Sequence, residues 1–350
     1  MPTRQADVAA VTSWVGDAIM APSMHNAQPW RFRYVPATGL LHLRTDLTRA
    51  MPRADADHRG MHVSCGAALF NLRVAAARAG WSAQVRPLPD PADPTLLAHV
   101  EFAEAADADD TADLYPAISR RRSSREPFAE EPVPAALLDA LRGAARSEGT
   151  SLSVLGAWQA EAVLDVVEEA DEDERLSPED RAEIARWTGT GAGRAEGIPS
   201  YAFGPRRHGG HAPVRDFAVG RPEAERRSAV FETAPCLAVL GTSQDRPQDW
   251  LLAGQALERV LLRATADGLS TSLNSQALER EELRWLLRDP HSGATASFPQ
   301  MLLRLGYGPV VAPTPRRAVG DVLDIDDRPA ERTRGSAART ADADEERSDG

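Results

Sequence analysis

Residues 21–30 read APSMHNAQPW, and the setting of these ten residues decides how the chain is organised. Before them Val8, Val11, Val15, Ala18 and Ile19 recur at helical spacing. After them Trp30 to Val35 (WRFRYV) and Leu40 to Thr45 are strand-like runs on either side of a Pro-Ala-Thr-Gly turn, the pattern of a hairpin. The quoted stretch is therefore a helix-to-strand loop. Pro22 and Pro29 fix φ and remove backbone donors, which restricts Ser23, His25, Asn26 and Gln28 between them. Serine, asparagine and glutamine each donate and accept, as the carbonyl and NH edge of a planar heterocycle requires. The plainer reading is a loop that only caps and turns.

Two further passages carry chemistry. Ile118 to Phe128, ISRRRSSREPF, gathers Arg120, Arg121, Arg122 and Arg125 around Ser123 and Ser124. An arginine fork matches a phosphate bidentately, and serine hydroxyls add donors. Near the end, Met301 to Tyr307 (MLLRLGY) reads as a buried strand and leads through Gly308-Pro309 to Thr314-Pro315-Arg316-Arg317. Singly, each arginine cluster fits a solvated basic face.

Taken in order, the three passages resemble the nitroreductase superfamily of flavin mononucleotide (FMN) proteins. Members show an R-x-S-x-R-x-F element, a P-S-x-x-N-x-Q-P-W loop and a terminal strand followed by basic residues. Here the loop precedes the arginine-serine element by roughly a hundred residues, the reverse of the usual order. With the segment Pro52 to Trp81, that permutation is similar to the Acg subfamily, whose members resemble two nitroreductase halves fused in one chain with one FMN site and a lid. The implied fold is α+β, mainly antiparallel sheets packed by helices in two pseudo-equivalent lobes, and a monomer of dimer-like architecture is compatible with it. The duplication leaves a trace in the sequence. Cys65 to Trp81 aligned on Ala253 to Leu269 matches Gly66 with Gly254, Leu69 with Leu257 and Gly80 with Gly268. Each helix ends at a C-cap glycine, and a similar strand follows: PTLLAHVEF from Pro94, PQMLLRLGY from Pro299.

The resemblance also implies roles. FMN phosphate would fall to Arg121, Ser123 and Arg125, with Arg122 as an extra contact and Arg316 and Arg317 as further donors. Phe128 stands one position late because Pro127 intervenes. Pro22, Ser23 and Asn26 match the loop against the isoalloxazine and ribityl chain, and Gln28 braces it. Beside flavin N5, where family members carry proline and glutamate, this chain has Leu273 and Ser275 in STSLNSQ. Flavin carries the reactivity, so no catalytic side chain is assigned. The implied activity is two-electron transfer from NAD(P)H through FMN to a small-molecule electron acceptor such as a nitroaromatic or quinone. The competing expectation is a flavin-sequestering or storage protein whose lid blocks turnover.

Composition narrows the alternatives. All 40 basic residues are arginine, which excludes P-loop, Schiff-base lysine and protein-kinase chemistry. A formal net charge of -12 argues against a general nucleic-acid binder. Cys65 and Cys236 are far apart, so neither a disulfide framework nor a cysteine metal site is expected. His58 and His62 are spaced like zinc ligands, but Arg59 stands where the H-E-x-x-H glutamate belongs, and helix-surface histidines are expected; His208 and His211 lack a partner. Gly189, Gly191 and Gly193 fail the dinucleotide spacing, and neither Ser23 nor Ser123 sits in a G-x-S-x-G elbow. No metal is called. Without a signal-like N-terminus or a membrane-length apolar run, the expectation is a cytoplasmic protein with no membrane and no nucleic-acid partner.

Composition shifts set the expected boundaries: a first lobe over 1–103, an acidic linker over 104–113 and a second lobe over 114–327. Within the second lobe the Gly/Pro-rich run 189–222 is the lid candidate. Helices are expected at 135–145, at 157–170 and after Ser177-Pro178. Residues 328–350 read as a disordered tail.

Overall fold

The structure, a computed structural model, describes residues 5–107, 109–189, 194–218, 226–288 and 297–327. In chain order, helix α1 (Val8–Ala18) precedes strands β1 (Trp30–Val35) and β2 (Leu40–Thr45), helix α2 (Arg59–Arg78), and strands β3 (Trp81–Pro87) and β4 (Leu96–Glu104). Next come helices α3 (Tyr115–Ile118) and α4 (Ala135–Ser147), strand β5 (Ser151–Val154), helices α5 (Ala157–Leu176) and α6 (Pro178–Trp187), and two-residue strands β6 (Arg206–Arg207) and β7 (Ser228–Ala229). Strand β8 (Cys236–Thr242), helix α7 (Pro247–Ala266), strand β9 (Ser270–Asn274), helix α8 (Glu281–Leu286), and strands β10 (Phe298–Gly306) and β11 (Leu323–Ile325) complete the set.

The fold is α+β, as the sequence implied. One sheet has the order β11-β1-β2-β4-β3 and a second the order β5-β8-β10-β9. Every pairing in them is antiparallel except β1 with β11. Removing β11 leaves two four-stranded sheets of one order: strand, strand, then a hairpin whose second strand lies inside, with α2 or α7 crossing before that hairpin. Gly80 and Gly268 close those helices at φ 80° and 81°, the left-handed geometry a C-cap glycine supplies.

Helices α2 and α7 are buried on nearly all sides, which explains why their sequences are rich in small and apolar residues rather than amphipathic. They cross where the aligned glycines meet. A Cβ on Gly66 would lie 2.2 Å from the Leu251 carbonyl oxygen, and one on Gly254 would lie 2.1 Å from that of Val63. On either side of this crossing, apolar clusters fill the sheets, one around Trp30, Leu43, Leu69 and Leu97 and the other around Leu240, Leu257, Leu261 and Leu303.

The strand and helix expectations hold in position, with α4, α5 and α2 each longer than their periodic cores. One reading needs correction. His62 is not a surface histidine: it is buried, its ring edge-on to Trp250, because α2 has no solvent face. In the acidic stretch Glu104 ends β4, and Asp109 caps a 3-10 turn over Asp110–Leu114 that buries Thr111, while Asp107, Asp109, Asp110 and Asp113 stay exposed. Strand β11, within the expected second lobe, pairs with β1 of the first sheet. The tail 328–350 and parts of the lid candidate, 190–193 and 219–222, lie outside the described residues.

Candidate functional site

A cavity of about 1470 Å³, open mouth included, is lined by segments drawn from residues 20 to 316. Its walls come from the 20–26 loop, the start of α2, the arginine-serine segment, residues 198–217, β9 and residues 311–316. The sequence-predicted Pro22, Ser23, Asn26, Arg121, Arg122, Ser123, Arg125, Leu273, Ser275 and Arg316 all line it. Gln28 and Arg317 do not. They brace the wall from behind: the Arg317 amide donates to Gln28 Oε1 at 2.9 Å, and the Arg317 guanidinium donates to the carbonyls of Gln28 and Asp321. The Arg317 guanidinium, expected as a cofactor donor, is held by those two backbone carbonyls and is not among the residues lining the cavity.

The 21–30 loop is strained into shape. His25, Asn26 and Gln28 have φ of 46°, 55° and 53°, where non-glycine residues pay about 1 kcal/mol or more each. Local and distant bonds hold them there. Ser23 Oγ accepts the Gln28 amide at 2.9 Å, and the Gln28 side chain donates to the Ala195 carbonyl at 2.6 Å. Asn26 Nδ2 donates to the carbonyls of Gly197 and Pro315, while its Oδ1 accepts from Arg316 at 3.1 Å. Asn26 is thus a clasp joining three segments, with its amide committed to protein. His25 differs. Its ring is 5% exposed, lines the cavity and has no hydrogen-bond partner on either nitrogen. Burial, with Arg215 and Arg125 nearby, holds its pKa well below the usual histidine range, so the imidazole is neutral.

The arginines separate into two groups. Arg121 lies against α7, donating to the Met20 carbonyl at 3.2 Å, with its Nε 3.5 Å from the carboxylate of Glu258. Arg316 joins it through the Met20 and Ala21 carbonyls, and burial followed by repulsion from Arg121 lowers its pKa to about 9. Arg122 lines the same cavity and is shifted down by burial and by Arg121. Arg125, four residues on, points elsewhere: it donates to the Ala202 carbonyl at 3.0 Å and covers the Phe217 ring at 4.7 Å. Burial and then Arg215 push its pKa down to about 10. Arg215, buried but bound to Glu174 and Glu279, is held above the ordinary arginine value by those carboxylates against the cost of burial. Phe128 is outside the cavity, stacked under the buried Arg304 at 3.9 Å.

Residues 194–218, the described part of the lid candidate, contribute Ile198, Tyr201, Ala202, Gly204 and Phe217 to the wall. Tyr201 Oη donates across to the Pro313 carbonyl at 2.8 Å. Sequence reasoning named no role for His25, Arg59, Phe217 or Glu258. His25 stood inside the quoted loop. Glu258 left one signal, since the helix alignment sets it opposite Phe70, a charged residue where the other helix buries an aromatic. Arg59, buried at the start of α2, donates to the carbonyls of Gln300 and Leu278 and lines the cavity; nothing in its local sequence marks it.

A family model described as Nitroreductase family matches residues 118–307. Two Mycobacterium tuberculosis proteins are similar over most of the chain. The one provisionally named NAD(P)H nitroreductase Rv3131 is 33% identical over 336 residues, 93% of this chain and 94% of its own. The one provisionally named NAD(P)H nitroreductase acg is 32% identical, over 93% and 98% respectively. Among solved structures, a nitroreductase with bound FMN from Bacteroides fragilis aligns at 17% identity and TM-score 0.34, covering 57% of this chain and 90% of that one. The FMN and NADPH-dependent nitroreductase NfnB from sphigopyxis sp. strain HMH gives 18% and 0.37, over 60% and 97%.

Proposed function

Because the chain belongs to the nitroreductase family, we propose that its cavity binds FMN and that the protein is an NAD(P)H-dependent oxidoreductase acting on a small oxidised acceptor. One observation carries the reading: Arg121, Arg122 and Arg316, from segments 195 residues apart in sequence, converge with Ser123 on one cavity. Three cations and a hydroxyl suit a phosphomonoester, whose charge at neutral pH is close to -2. The groups present fit the rest of the cofactor as well. Met20, Met24, Val63, Leu257 and Met301 give apolar surface for a flat ring, and His25 brings a donor and an acceptor that the protein leaves unpaired. Bound FMN would supply hydride acceptance and donation.

In this reading the residues bind and orient rather than transfer protons. Arg121, Arg122, Ser123 and Arg316 hold the phosphate, while Pro22 and Ser23 set the loop beside the ring. Leu273 and Ser275 line the side where family members carry proline and glutamate. Ser275 Oγ donates to Glu279 at 2.7 Å, so it is already engaged. The shared strand order of the two sheets supports reading the chain as two fused halves, with the cavity formed between them.

A second reading has its own support. Residues 194–218 wall the cavity and are tied to the loop by Asn26 and Gln28 and to residue 313 by Tyr201, as a sequestering lid would be. Anaerobic mixing of the FMN-loaded protein with NADPH and with NADH separates the two. Flavin bleaching by either establishes the oxidoreductase. Bleaching by dithionite alone rules against nicotinamide-driven turnover and favours sequestration, and a protein that cannot be reconstituted with FMN defeats both.

A further inference from the structure

Glu258 is the one buried carboxylate beside the phosphate-side arginines among the described residues that the reading above leaves without a task. It lies on α7 next to the cavity-lining Leu257 and is 0% exposed. Its closest cation is Arg121, Nε to Oε1 3.5 Å, too long for a good charged hydrogen bond. Arg121 is itself 4% exposed, and its Nε and Nη1 are also unpartnered. The charged groups facing the carboxyl are Arg121 and Arg316, and the Asn71 side chain from α2 hydrogen-bonds to it and favours its charged form. Both arginines line the cavity on their other side.

The arrangement leaves one guanidinium between two prospective anions. Without a ligand, Glu258 is the counter-ion of Arg121. A phosphate dianion on the cavity side competes for the same charge and adds its own repulsion to a carboxylate that water cannot reach. Resting on the assignment of FMN phosphate to Arg121, we propose that Glu258 is a positioning residue that releases Arg121 to the phosphate by taking up a proton, so that cofactor binding and protonation are coupled. The carboxyl is poised for this. Burial outweighs the attraction of Arg121 and raises its pKa to about 7, so the incoming anion has only to push an existing equilibrium further.

Calorimetric titration of the cofactor-free protein with FMN at pH 8, in buffers of different ionisation heat, measures the protons exchanged. The wild type should take up more than half a proton per FMN. Riboflavin, which has the ring but no phosphate, should take up none. Glu258→Gln should abolish the uptake and bind FMN at least fivefold more tightly than wild type at pH 8, with no difference at pH 5.5, whereas Glu258→Asp should restore it. Wild-type binding without proton uptake, or Glu258→Gln with undiminished uptake, overturns the role of Glu258 and leaves FMN binding intact. Arg121→Ala is the control on the parent assignment: if it binds FMN as tightly as wild type, the phosphate is held elsewhere.

Discussion

The two ends of the cavity solve different problems with similar residues. At the α7 end, Arg121 and Arg316 are anchored mainly by backbone carbonyls and share one loosely held carboxylate, leaving positive charge for a ligand. At the other end Arg215 is neutralised by two glutamates, Arg125 is turned onto Phe217, and the polar group left without a hydrogen-bond partner is the neutral His25. A motif rich in arginine therefore yields one end suited to charge and another suited to an uncharged ring edge. What separates them is where the neighbouring carboxylates lie.

The sharpest way to break that contrast is to strip the charged end. Arg121→Ala combined with Arg316→Ala should weaken FMN binding at least about a hundredfold, given roughly 1.5 to 3 kcal/mol for each charge-assisted contact. Quenching of flavin fluorescence during titration gives the constant, and a loss under tenfold would mean these cations are not the grip. Next in size is the cost of keeping Glu258 there. A carboxyl whose pKa is raised by folding favours the folded state below its ordinary range and loses that contribution as pH rises through its folded value, here about 7. Wild type should therefore lose up to about 3 kcal/mol between pH 4.5 and pH 8 that Glu258→Gln retains. Urea midpoints for both proteins across that range decide it, and parallel curves would refute it.

The uncharged end should respond more weakly and without titration. His25→Asn keeps a residue tolerant of left-handed backbone and should cost FMN affinity about fivefold, equally at pH 7 and pH 8.5, since burial keeps His25 neutral there. A loss larger at pH 7 than at pH 8.5 would mean the imidazole is charged. The smallest effect belongs to Tyr201→Phe. It removes one exposed bond to Pro313, and stopped-flow release of FMN should quicken about two- to fourfold. No change would show that residues 194–218 do not limit exit.

Much of the fold was legible because its signals are local: the helix before Met20, the hairpin after Trp30 and the glycines closing α2 and α7. Of the site, the sequence showed which segments meet but not where their side chains point. Arg121 and Arg125 diverge because the segment between them is not helical. Ser123 bridges to Thr271, and the Ser124 amide donates to the Thr271 carbonyl. That contact depends on a strand about 150 residues away, beyond any local pattern. Asn26 misled in the opposite way, its residue type right for a heterocycle but its amide taken by Gly197, Pro315 and Arg316.

Strand β11 and Arg316 also fix the order of events during synthesis. The edge of β1 stays open until β11 reaches it, and the cavity lacks Arg316 and the Pro315 carbonyl that clasps Asn26 until those residues follow the last strand of both four-stranded sheets. A nascent chain stalled before Thr314 thus carries the quoted loop without its clasp, an unpaired strand edge and half a charged grip. The charged grip is therefore completed after both four-stranded sheets, and a chain stopped short of Thr314 is marked by an exposed strand rather than by a missing sheet.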